Sequence, residues 1–153
     1  MRPGSLRVQV TAMLSDSLRN AGWNPEVLTD EFREWKTDGA AGEYTSYYYG
    51  KDGDYTSPLR NGKPVLRHVH MPPASDAAAL AAWEMQWRRR SRKTSDGALI
   101  YAYDHHYGYL LIFYAVEPTA HSLAQMQDAD SVELMNMFAD IAEAFIHDGT
   151  VIA

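Results

Sequence analysis

The stretch Ala98-Leu99-Ile100-Tyr101-Ala102-Tyr103-Asp104-His105-His106-Tyr107-Gly108-Tyr109-Leu110-Leu111-Ile112-Phe113-Tyr114-Ala115-Val116 decides the fold class. It holds two apolar, β-branched and aromatic runs, Ala98 to Tyr103 and Tyr107 to Val116. A polar Asp-His-His step separates them, which is the pattern of an antiparallel hairpin. Glu117-Pro118 closes the second strand. On the other side of the pair, Pro64 opens a further strand, Val65 to Met71, which Pro72-Pro73 stops. Leu6 to Leu14 reads as a first strand.

Helices are expected around these strands. Asn24-Pro25-Glu26 starts one, with Asn24 as cap and Pro25 in the first turn. Leu28, Phe32 and Trp35 share its apolar face, and Gly39 ends it. Ser75 caps a second helix whose face is Leu80, Trp83 and Trp87. The last has a capping box, Asp130-x-x-Glu133, an apolar face of Leu134, Phe138, Ile141 and Phe145, and Gly149 beyond its end. Gly39 to Gly62, with five glycines and five tyrosines, reads as loop. The expected order β-α-loop-β-α-β-β-α is an α+β fold, a small, mainly antiparallel sheet with helices on one side.

With 153 residues and no internal repeat or linker, the chain reads as one domain, residues 1–153. The absence of cysteine excludes disulfides, thiolate metal sites and a cysteine nucleophile. No signal-peptide or membrane-spanning run is present, so the expected location is cytoplasmic, with no membrane partner.

Charge is distributed unevenly. Every Lys and Arg lies before residue 94, and five of the 14 fall in Arg88-Arg89-Arg90-Ser91-Arg92-Lys93. With Arg60, Lys63 and Arg67 they form a local basic patch in a chain of net charge −6. Such a patch suits a phosphate-rich partner held on one face, or else a solvated helix end.

Three groups of residues could carry chemistry. In His68-Val69-His70 the two imidazoles share one strand face with Leu66, while Val65, Arg67, Val69 and Met71 share the other. The pair could be acid and base, metal ligands, or hydrogen-bonded core residues. His105-His106 reads as an exposed turn, and Asp52-Gly53-Asp54 as a turn too short for a calcium loop. The unit from Arg92-Lys93 to Tyr101 places cations before a strand ending in a phenol. The tyrosines from Tyr44 to Tyr55 either pack the loop or stack on bases.

Several segments together resemble the YafO family of bacterial toxin endoribonucleases. They are Phe32-x-x-Trp35-Lys36-x-Asp38-Gly39; Tyr49-Gly50-Lys51-Asp52 with Tyr55 and Pro58; and His68-Val69-His70. Ser91-Arg92 leading to Leu99-Ile100-Tyr101, Leu110-Leu111-Ile112, Glu117-Pro118 with His121, and Ala142-Glu143-Ala144-Phe145 complete the set. The resemblance implies a RelE-like sheet flanked by helices and a toxin that cleaves mRNA at the ribosome, in the 30S A site. It also implies neutralisation by a cognate antitoxin. The chain departs from the family pattern around Asp76 to Met85, in its extra basic residues before Ser91, and in a C-terminal third without Lys or Arg.

On this reading the cleavage is metal-independent attack of a 2′-oxygen on the adjacent phosphorus, with no cofactor. His68 and His70 are the expected acid/base pair, Arg92 and Lys93 the phosphate stabilisers, and Tyr101 a supporting donor. Lys51, Arg60, Lys63, Arg67, Arg88, Arg89 and Arg90 are expected RNA contacts. Two other readings remain open. One is a non-enzymatic RNA, ribosome or protein-binding module using residues 60–93. The other is a metal-dependent hydrolase using His68, His70 and one of His105, His106 or His121.

Overall fold

The computed structural model describes residues 6–116 and 119–153. The expected strand stop at Glu117-Pro118 therefore lies outside the described residues. The hairpin forms as read: β6 (Ala98–Asp104) and β7 (Gly108–Ala115) are antiparallel. A register shift between Ile100 and Tyr101 sets Tyr101 opposite Leu111. Earlier elements build outward from this pair. On one side, β1 (Val8–Val10) runs parallel to β7. On the other, β5 (Arg67–His70) pairs antiparallel with β6, and β2 (Asp52–Asp54) closes the edge against β5. The result is an α+β fold on a five-stranded, mainly antiparallel sheet, ordered β1-β7-β6-β5-β2. A two-stranded ribbon of β3 (Leu59–Arg60) and β4 (Lys63–Pro64) precedes β5, so the strand expected over Val65 to Met71 is shorter than read.

The first strand is also shorter than Leu6 to Leu14. Thr11 ends it by capping α1 (Ala12–Asn20): its hydroxyl accepts the Leu14 N–H at 3.1 Å and donates to the Ile112 carbonyl at 3.0 Å. The helix that follows, α2 (Pro25–Thr37), is as expected, with Asn24 Oδ1 accepting the Glu26 N–H at 3.0 Å. The Gly39-to-Gly62 segment is not plain loop. It contains α3 (Gly42–Thr45), β2 and β3. The β2 residues are Asp-Gly-Asp, which carry no β-propensity, and pairing to β5 alone makes them a strand.

Asp76, rather than Ser75, caps α4 (Ala77–Arg88), accepting from the Ala78 and Ala79 amides. Likewise Asp128, rather than Asp130, caps α6 (Ala129–Asp148), accepting the Ser131 N–H at 2.8 Å. A short α5 (Ala120–Gln125), unmarked in the sequence pattern, precedes it. Leu134 and Trp87, expected on core faces, are 37% and 39% exposed.

The largest correction concerns the helices, which cover both faces of the sheet. Leu66, Ile100, Ala102, Leu110 and Ile112 pack with Leu123 of α5 and Phe138, Ile141 and Phe145 of α6. The alternate residues Val69, Leu99, Tyr101 and Leu111 pack with Leu14 of α1 and Phe32 and Trp35 of α2. Strand alternation therefore sends neighbouring residues of β5 and β6 into two separate cores. At the β2 edge, α4 is fastened by the fully buried Trp83, whose indole N–H donates to the Tyr47 carbonyl at 2.8 Å. Gly50 passes directly under this contact. A Cβ there would meet the Lys93 carbonyl and the Trp83 ring, so the close approach requires glycine.

Candidate functional site

The α5/α6 side of the sheet brings three imidazoles together. His68 and His70 project from β5 on this face, and His121, the second residue of α5, comes over to meet them. The ring centroids lie 5.7 Å apart for His68 and His70 and 6.2 Å for His70 and His121. They line a hollow of about 30 Å³ with Tyr55, Ser95, Ala98, Ala120 and Ala124. That is room for about one water molecule.

Each imidazole has a different setting. His70 is buried, and its Nδ1 lies 2.8 Å from the Ser95 carbonyl and 2.9 Å from the Ser95 amide nitrogen. A protonated Nδ1 donates to the carbonyl, and an unprotonated one accepts from the amide. The ring can thus exchange a proton without turning, and Nε2 remains for a substrate. Burial holds the His70 pKa below the ordinary histidine value, against the Ser95 contact. The positive charges of His121, Lys51 and Arg92 lower it further. His121 is exposed, and Asp96 orients it, accepting its backbone N–H at 2.6 Å and lying 3.0 Å from its Nδ1. His68 stacks on Tyr55 at 3.9 Å, and its buried Nδ1 has no hydrogen-bond partner among the described residues. Burial first, then the neighbouring His70, lowers its pKa to about 4. His68 therefore stays neutral near pH 7.

The opposite, α1/α2 side carries a charge network. Asp52, its side chain 10% exposed, accepts from the Lys36 ammonium at 2.6 Å and from the Tyr101 hydroxyl. Arg67 donates to the Tyr101 hydroxyl at 3.2 Å and to Asp54 at 2.9 Å. Lys36 also sits over the Trp35 ring at 4.3 Å. Burial lowers the Lys36 pKa, with Asp52 acting the other way. Burial, then the Asp52 charge, raises that of Tyr101.

The residues singled out in the sequence are therefore divided. His68 and His70 do share a face, and Arg67 does face away from them. Tyr101 is fully buried on the far face, its hydroxyl held by Asp52, so it does not join the imidazoles. Lys93 is fully buried, its ammonium donating to the Glu43 carbonyl at 2.9 Å, so it does not present charge to a ligand. Burial lowers its pKa to about 8. Arg92 binds Glu43 at 2.9 Å, and its charge acts at His70. Arg60 is turned to Asn136 and Asp140 of α6, and Lys63 is exposed on the ribbon. The basic residues from Arg60 to Lys93 thus do not form one face. Lys51 is exposed near His70, and Arg88, Arg89 and Arg90 are exposed at the end of α4.

His105 and His106 follow the far end of β6, whereas His70 pairs with Ala98 at its start, so the turn does not reach the cleft. Among the described residues, no group of three His, Cys, Asp or Glu is placed to hold a metal ion. In the sequence, His121 stands only as one of three options for a third metal ligand and within the resembling segments. Its signal was its place three residues after Pro118 in the resembling segment. Ser95 and Asp96, which hold two of the rings, gave no signal.

No curated protein and no solved structure matches the chain. A family model does, that of the toxin YafO of type II toxin-antitoxin systems, over residues 33–147. This span covers most of the chain, including α4, β5, β6, all but the last residue of α6, and all three cleft histidines. The chain belongs to the YafO toxin family of type II toxin-antitoxin systems.

Proposed function

We propose that this toxin is an endoribonuclease that cleaves mRNA at the ribosome by acid/base chemistry in the His70–His121 cleft. The observation that carries the reading is the pair itself. Two imidazoles lie 6.2 Å apart, each fixed at Nδ1 by a different partner, with Lys51 and Arg92 alongside. Attack of a 2′-oxygen on the adjacent phosphorus needs a group to take the 2′-proton and another to protonate the departing 5′-oxygen. His70, buried and neutral near pH 7, is the base. His121, steadied by Asp96, is the acid. Lys51 and Arg92 supply positive charge for the phosphorane-like transition state. His68 forms the neutral wall behind His70. Membership of a toxin-antitoxin family implies a cognate antitoxin as partner, and covering this cleft would inactivate the chain.

The test is expression in cells of the wild-type chain, His70→Ala and His121→Ala, following growth and mapping mRNA 5′ ends. Cleavage is then repeated with purified chain on free RNA and on ribosome-bound mRNA, with and without chelator. New ends with wild type alone, insensitive to chelator, support the assignment. Cleavage by both variants moves the chemistry elsewhere. Growth arrest without new ends favours a binding module, and loss of cleavage with chelator favours a metal hydrolase.

A further inference from the structure

A second surface lies beyond Arg92. Tyr44 and Thr45 of α3 and Trp87, Arg88 and Arg90 at the end of α4 line an open groove of about 440 Å³. Its aromatic residues are exposed, and Trp87 is also held in place. Trp87 donates from its indole N–H to the Thr45 carbonyl at 3.3 Å and packs edge-on against Tyr47, with ring centroids 5.2 Å apart. Even so, Trp87, Tyr44 and the nearby Tyr48 are 39%, 41% and 57% exposed. Arg88, Arg89 and Arg90 form no ion pair among the described residues, although the chain is acidic overall. Arg90 adopts a left-handed backbone (φ 54°), which turns the chain sharply out of α4 toward Arg92.

The groove and the histidine cleft share no lining residue, but Arg92 relates them. Glu43, next to Tyr44, binds Arg92, and the Arg92 charge is felt at His70. Flat rings interleaved with unpaired guanidinium groups match unpaired bases and their phosphates. Trp, Tyr and Arg also anchor protein partners, so displacement by an acidic polypeptide is an outcome that the test must separate. We infer that this groove is a binding site for single-stranded RNA, in which Trp87 and Tyr44 stack on bases and Arg88 and Arg90 hold phosphates. The inference rests on the ribonuclease reading for its physiological ligand, but the binding is separable from cleavage.

The experiment measures fluorescence anisotropy of a labelled 12-nucleotide 2′-O-methyl RNA. This strand keeps bases and phosphates but lacks the 2′-hydroxyl needed for cleavage. Trp87→Ala should weaken binding roughly 5- to 150-fold, the range for removal of a stacking ring, while Trp87→Phe retains most of the affinity. The Arg88→Ala/Arg90→Ala pair should flatten the slope of log affinity against log salt by about 1.4. Near-ultraviolet circular dichroism checks that each variant is folded. Wild-type affinity in Trp87→Ala and in the arginine pair overturns the inference. So does displacement of the strand by poly-glutamate at equal concentration in a Trp87-dependent manner, which would make the groove a protein site. If groove-dependent binding is found but unmodified mRNA is never cleaved, the groove stands and the ribonuclease reading falls.

Discussion

Replacing Tyr101 with Phe separates a structural tyrosine from a catalytic one. The hydroxyl donates to Asp52 and accepts from Arg67 at 3.2 Å, in a fully buried position. A hydrogen bond to a charged group contributes about 1.5–3 kcal/mol. Both partners keep other contacts, Asp52 with Lys36 at 2.6 Å and Arg67 with Asp54 at 2.9 Å. Tyr101→Phe should therefore cost near the lower end, about 1.5 kcal/mol. Asp52→Ala is the harsher change. It leaves Lys36, only 15% exposed, among rings with no carboxylate, and should cost about 3–5 kcal/mol. Urea denaturation with an unchanged m-value gives both numbers. In a cleavage assay below the unfolding transition, Tyr101→Phe should act within about 3-fold of wild type, since a group outside the cleft forfeits none of the 10²–10⁴-fold of acid/base catalysis. Unchanged stability with cleavage reduced more than about 100-fold would refute this reasoning and return Tyr101 to the chemistry.

Three further outcomes are expected. His70→Ala and His121→Ala should each lower the rate of mRNA cleavage by about 10²–10⁴-fold while remaining folded, measured by single-turnover kinetics. The acidic limb of the pH–rate profile should lie below the ordinary histidine range, because burial lowers the His70 pKa; Lys51→Ala removes a positive charge that lowers it further, so the limb should move to higher pH. His68, with a folded pKa of about 4 against 6.5 when unfolded, contributes stability that is full above pH 6.5 and is lost as the pH falls toward 4. Chemical denaturation of His68→Phe across that window should show a shallower loss than wild type.

The sequence by itself determined the local features. Asn24-Pro25 starts a helix because cap and ring geometry act within one turn. The Ala98–Val116 stretch makes a hairpin, and His68 and His70 share a face, because strand alternation is a nearest-neighbour property. The family, too, was legible in the order of short segments. Two caps were misplaced by one or two residues because Ser75 and Asp76, or Asp128 and Asp130, are chemically equivalent candidates. Only the tertiary structure decided which charged groups meet. It covered both sheet faces with helices, and so placed Tyr101 apart from His70 although Tyr101 lies in the strand paired with His70. It buried Lys93 beneath Glu43 and tied Lys36 to Asp52, contacts spanning 50 and 16 residues. It also carried His121 across to His70 on a helix whose first turn is capped by Asp96, 25 residues away, and not by Thr119. Such meetings depend on the register of an unpatterned Asp-Gly-Asp edge strand and on loop paths, which no local propensity encodes.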